Sequence, residues 1–79
     1  MTDLEKLKDD MVKEDVFFTF NGEQCSAYME VDDSIPTFYI HYGDIVRKQY
    51  HDFYEMANDK VFDDQSLSDI LDKIQIRFH

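Results

Sequence analysis

The dipeptide Asn21-Gly22 joins two β-rich runs, Val16–Phe20 (VFFTF) and Glu23–Val31 (EQCSAYMEV), and no other feature constrains the fold of this chain so tightly. Both central residues of a type I′ turn need a positive φ, which Asn and Gly accept, and the twist of that turn matches the strands it joins. A two-residue turn sets the register: Phe20 faces Glu23, Phe18 faces Cys25 and Val16 faces Ala27. Side chains alternate between faces along a strand. Val16, Phe18, Cys25, Ala27, Met29 and Val31 therefore share one face, expected to be the core. Phe17, Thr19, Gln24, Ser26, Tyr28 and Glu30 share the other. With Phe17 and Tyr28 on it, that second face is not cleanly polar, and either the first helix or a partner is expected to cover part of it.

The flanking segments supply a helix before the hairpin and more sheet after it. Leu4, Leu7, Met11 and Val12 recur at helical spacing, predicting a helix from Thr2 to about Lys13. Thr2 and Glu5 match a capping box, and Asp3 and Glu5 suit the positive end of the helix dipole. Asp32-Asp33-Ser34-Ile35-Pro36 reads as a turn closed by Pro36, followed by a strand over Thr37–Tyr42. The stretch from Asp44 to Ala57 fits two periods, one long helix or a strand over 45–50 with a short helix over 51–58. The Gly43-Asp44 turn tips the balance to the second. Val61-Phe62 is an apolar plug in a loop. A last helix is expected over Ser66–Lys73, capped by Asp64 or Ser66, and alternation at Ile74, Ile76 and Phe78 suggests a short edge strand. The fold class is one α+β domain over residues 1–79: an N-terminal helix, an antiparallel sheet of three to four strands, then one or two helices.

At 79 residues the chain is near the lower size limit for a self-sufficient core, and seven Phe and five Tyr compensate with large burial per residue. Eighteen acidic residues against eight basic ones leave a net charge of −10, and no Lys or Arg occurs from Val16 to Val46. Such a field repels phosphate backbones and draws in basic surfaces, so the expected partner is a protein with a basic surface, with no direct nucleic-acid binding. A single cysteine excludes an internal disulfide and suits a reducing cytoplasm. No apolar run reaches transmembrane length, and residues 1–10 lack the apolar segment of a signal peptide.

Motifs for catalysis or metal binding are missing from the sequence. Cys25 sits between Glu23 and Glu30, which disfavour a thiolate, and its strand position is a core position. His41, His51 and His79 form no metal-ligand spacing. The adjacent carboxylate pairs, such as Asp32-Asp33 and Asp63-Asp64, diverge on either a strand or a helix and so are not acid–base dyads. The chain is accordingly read as non-enzymatic and without a cofactor.

The segment Phe62-Asp63-Asp64-Gln65-Ser66-Leu67-Ser68-Asp69-Ile70-Leu71 resembles an F-D-G-K-S-L-x-x-I pattern of small uncharacterised proteins from Gram-positive bacteria and their phages. Asp64 and Gln65 depart from it, standing where the pattern has Gly and Lys. In size, acidity and lack of catalytic motifs the chain is similar to phage-encoded inhibitors of the anti-CRISPR and anti-restriction type, which imitate DNA. That likeness implies a binding protein that blocks a nuclease or DNA-binding complex. The expected partner-binding residues are Glu23, Glu30, Asp32, Asp33 and Asp44, with Tyr28, Tyr39 or Tyr42 as aromatic anchors. Two alternatives stand beside it: an accessory homodimer using the aromatic second face, and a small metal or thiol protein using His41 and Cys25.

Overall fold

A computed structural model describes residues 4–78. Its elements in chain order are α1 (Leu4–Lys13), β1 (Val16–Phe20), β2 (Glu23–Asp32), β3 (Ile35–Tyr42), β4 (Val46–Tyr50), α2 (Phe53–Asn58), α3 (Leu67–Ile70) and β5 (Arg77–Phe78). The strands form one antiparallel sheet in the order β4-β3-β2-β1-β5. This is the α+β domain expected, with the tail adding a two-residue edge strand beside β1. The proposed Thr2 cap lies outside the described residues. No helix among them is long and apolar enough to cross a membrane.

The first hairpin has the register that Asn21-Gly22 dictates: Val16 opposite Ala27, Phe18 opposite Cys25, Phe20 opposite Glu23, with φ of 52° at Asn21 and 78° at Gly22. The second hairpin departs from expectation. Its turn is only Asp33-Ser34, with φ of 51° and 66°, and the strand resumes at Ile35, opposite Asp32. Pro36 lies inside β3, opposite Val31. Counting from the bonded Asp32–Ile35 rung, Pro36 falls on a non-hydrogen-bonded rung, so the N–H it lacks would have pointed away from β2. β4 stops at Tyr50, opposite Phe38, so no described strand is paired there to miss that donor. Between β3 and β4 the connection is three residues, Gly43 to Ile45, closed on Tyr42 opposite Val46. Gly43 has a φ of 52°, in the left-handed region that glycine enters at least cost, and it lies against the Glu23 side chain.

All three helices pack on one face of the sheet. Leu7 and Met11 of α1, Phe53, Met56 and Ala57 of α2, and Leu67 and Ile70 of α3 join Val16, Phe18, Cys25, Ala27, Phe38 and Ile40 in a single core. The helical stripe of α1 thus contributes Leu7 and Met11, whereas Val12 is exposed. The expected core face is buried through Ala27, half-buried at Met29 and open at Val31, because the helical layer ends before the strand does. Over 44–57 the strand-plus-helix alternative holds, and α2 is capped by Asp52, which accepts from the Glu55 amide at 3.0 Å.

The plug residue Phe62 is fully buried at the hub of an aromatic cluster, its ring 5.7 Å from Phe18, 5.7 Å from Phe20 and 5.2 Å from Tyr42. It is presented by a two-residue turn, Asp63-Asp64, closed by mutual backbone bonds between Phe62 and Gln65. The Asp63 carboxylate accepts from the Tyr42 hydroxyl at 2.9 Å and from the Asn21 amide, tying this turn to the first hairpin. Ser66 then caps α3 in a reciprocal box with Asp69, and accepting from the Ser66 amide holds the Asp69 carboxyl below its ordinary range. That helix spans one turn, shorter than the expected 66–73.

A second polar tie fastens α2 to the sheet. The Tyr50 hydroxyl donates to Asp59, which also accepts from Lys48 at 3.2 Å. Burial and the neighbouring Asp59 push the Tyr50 phenol well above its ordinary range, while the Tyr50 and Lys48 hydrogen bonds hold Asp59 below its own.

Two predictions test these ties. Phe62→Ala should cost about 3–5 kcal/mol, close to the whole stability of so small a domain, and leave the chain largely unfolded by circular dichroism and urea titration. In the Tyr50–Asp59 pair the raised tyrosine keeps its contribution below about pH 10 and loses it as pH climbs further. The depressed aspartate keeps its contribution above about pH 3.8 and loses it as pH falls through its folded value. Tyr50→Phe should therefore lower stability by about 1 kcal/mol near neutrality, with the gap to the native chain closing in alkali. The corresponding gap for Asp59→Asn should close in acid. Denaturant midpoints from pH 3 to 11 provide the check.

Candidate functional site

With every described helix on one side, no helix among the described residues covers the opposite face of the sheet. It presents Phe17, Ser26, Tyr28, Tyr39 and His41, all half-buried, in a row of polar neighbours that includes Gln24, Thr37 and Gln49. α1 was one candidate to cover this face, and it packs in the core instead. Tyr28 and Tyr39 sit opposite each other on β2 and β3, with rings stacked at 4.9 Å and 14°. The His41 ring meets Tyr28 edge-on at 5.6 Å. Together with Arg47 and Gln49 of β4 these three line a shallow depression on the face. Burial, then the Glu30 charge, then Tyr39 and Asp15 push the Tyr28 phenol upward, so it remains a neutral donor at physiological pH.

The structure divides the expected partner-binding residues into two groups. Glu30, Asp32 and Asp33 lie at the β2–β3 end of the sheet, next to the tyrosine stack. Glu23 and Asp44 lie at the other end, where Glu23 sits against Gly43. Glu23 and Asp32 are at opposite ends of one ten-residue strand, which spans roughly 30 Å. No single contact patch of ordinary size centres on both. Tyr42 is not a surface anchor: it is 3% exposed, with its ring against Phe62 and its hydroxyl on Asp63. Strand parity explains the error, since Tyr39 and Tyr42 are three residues apart on one strand and must point to opposite faces.

Around the first group the electrostatics are one-sided. Glu14, Asp15, Glu30, Asp32 and Asp33 are all exposed. The ion pairs among the described residues engage Asp10, Asp44, Asp59 and Asp69, and none reaches Glu30, Asp32 or Asp33. The cations of the bare face stand at its margins: Arg47 on the outer strand β4, 3.8 Å from Asp44, and Arg77 on β5, which donates to Thr19 and Gln24. The pairing of Asp44 with Arg47 further weakens the second group as an unopposed acidic patch.

Cys25 and His41 do not converge. Cys25 is buried on the core face, donates weakly to the Glu23 carbonyl, and burial raises its thiol pKa. His41 pairs with Ser26 and so lies on the other side of the sheet. Among the described residues no three His, Cys, Asp or Glu side chains are grouped to hold a metal ion. The feature that sequence reasoning missed is the reach of the β2–β3 hairpin beyond its neighbours. Its signal was the length of the alternating run on either side of Asp33-Ser34, once Pro36 is read as part of the strand. Comparison of the chain with protein-family models, characterised proteins and solved structures finds no match.

Proposed function

We propose that this chain is a non-catalytic binding protein that occupies a basic, nucleic-acid-handling surface of another protein and thereby inhibits it. The observation that carries the reading is the pairing of an uncovered, half-exposed tyrosine stack with a rim of carboxylates lacking countercharges. Aromatic rings supply desolvated contact area at low entropic cost, and the carboxylates steer encounter with a cationic surface. A net charge of −10 supports a partner that normally binds phosphates, because Lys and Arg arrayed for a phosphate backbone accept carboxylates as well. The residues assigned to contact are Tyr28, Tyr39, Glu30, Asp32 and Asp33; Glu23 and Asp44 contribute to long-range steering.

A second reading, a homodimer closed over this face, draws on the same half-buried Tyr28 and Tyr39. It must bring together two chains of charge −10, and is favoured only at high salt. Sedimentation equilibrium at low and high salt separates the two, with a monomer at both supporting the first.

Affinity capture from bacterial lysate, followed by salt elution, is the direct test. A nuclease or other nucleic-acid-handling protein should be retained and then released as ionic strength rises. Reversing Asp32 and Asp33 to Lys should slow association with that protein about tenfold while leaving the thermal midpoint nearly unchanged. Tyr28→Ala should act mainly on dissociation. A complex indifferent to salt and to both changes would refute the proposal.

A further inference from the structure

The β2–β3 hairpin extends past every neighbouring strand. β1 begins at Val16, opposite Ala27, and β4 ends at Tyr50, opposite Phe38. Among the described residues no strand flanks the rungs Glu30–Thr37, Val31–Pro36 and Asp32–Ile35 or the Asp33-Ser34 turn. This two-stranded arm projects about 10 Å, at 3.4 Å per residue. All of its residues but Thr37 are exposed, Val31 at 62% and Ile35 at 56%.

Which surface fits the arm follows from where its apolar groups point. Val31 and Pro36 share a rung on the helical side of the sheet, and Ile35 shares a rung with Asp32 on the bare side. A flat partner covers one of these faces and leaves the other in water. A cleft that admits the whole arm covers both. Its walls must be cationic, since the arm carries three carboxylates and no Lys or Arg. A two-stranded ribbon is about 10 Å thick, comparable to one strand of nucleic acid with its bases and narrower than a duplex. A second, independent observation points the same way. The Tyr28–Tyr39 stack at the base of the arm is two parallel rings beside a line of acidic groups, the arrangement that a single strand offers to an aromatic-lined, basic channel.

Building on the reading of the chain as an inhibitor of a nucleic-acid-handling protein, we infer that the arm over residues 30–37 is the inserted element. The surface it enters is a single-strand channel rather than a duplex-binding groove. Glu30, Asp32 and Asp33 take the phosphate contacts, Val31 and Ile35 bury against the channel walls, and the tyrosine pair stacks where bases would.

The arm can be removed without touching the core. Glu30–Thr37 and Asp32–Ile35 are both bonded rungs, so replacing residues 31–36 with Asn-Gly closes the hairpin two rungs earlier in the same register. Two complexes serve as probes in fluorescence anisotropy: labelled oligo(dT) on a purified oligonucleotide-binding-fold single-strand-binding protein, and a labelled duplex operator on a purified helix-turn-helix repressor. The intact chain should displace oligo(dT) and leave the duplex bound. The shortened arm should keep the native thermal midpoint and require at least about tenfold more protein for the same displacement. The double reversal of Asp32 and Asp33 to Lys, with the arm at full length, should show a similar loss. If the shortened arm competes as well as the intact chain, or if the duplex is displaced in preference, the inference falls and the broader inhibitor reading stands. If the intact chain displaces neither probe, the inference falls, and the broader inhibitor reading stands or falls with the affinity capture.

Discussion

Everything in this structure depends on Phe62 reaching the centre of the sheet. Two of the three helices that cover the core face are short, six residues in α2 and four in α3, and helices of that length do not persist unaided. They hold because the segment joining them drops an aromatic ring among Phe18, Phe20 and Tyr42. Asp63, the next residue, then fastens the same segment to Asn21 and Tyr42. The turn of the first hairpin, the end of β3 and the connection between α2 and α3 are therefore one cooperative unit. Few other contacts substitute for it in a domain this small, where each buried aromatic is a large share of the total.

Placing the whole apolar lid on one side has an electrostatic consequence. Carboxylates cannot enter the core without a partner, and every acidic residue among those described lies outside it. Several cations are committed to the helical layer: Lys48 to Asp59, Lys60 to Asp69, and Lys8 over the Tyr54 ring at 5.3 Å. Exposed pairs of this kind add little stability. Their positional effect is larger, because they leave the bare sheet face with cations only at its two outer strands. The unopposed acidic end beside Tyr28 thus follows from the fold as well as from the composition.

Local chemistry made the first hairpin and the order of the elements legible, because Asn-Gly turns, capping residues and two-residue alternation act within a few positions of themselves. The errors have a common origin in longer-range geometry. Pro36 reads as the close of a turn, yet it lies within β3, where β4 has already stopped and no described strand needs its missing donor. Val31 has the parity of a core residue, yet the helical layer ends before reaching it. Tyr42 is expected as an anchor beside Tyr39, although strand parity alone places the two on opposite faces. The turns at Asp33-Ser34 and Asp63-Asp64 contain no glycine, so their positive φ values had no strong marker. Asp64, with a φ of 66°, stands where the resembling pattern has Gly, and that substitution concealed the turn which presents Phe62. For the candidate surface, the sequence pointed to the right residue types along β2 but not to their separation into two ends of the sheet.

The arm poses the sharpest question about what the acidity is for. A projecting hairpin with two vacant edges invites pairing with other chains, and charged side chains are a common guard against it. Glu30, Asp32 and Asp33 satisfy that need. Guarding does not account for Val31 and Ile35, which expose branched apolar surface on both faces of the same short ribbon. If strand propensity were the only requirement, threonine would serve with a polar surface, as Thr37 does one rung away. An element selected only to stay soluble would also have no reason to extend three rungs past its neighbours, where each ordered residue costs conformational entropy without burying anything in the core. Length, apolar tips on opposite faces and carboxylates between them are jointly explained by an occupant that surrounds the arm.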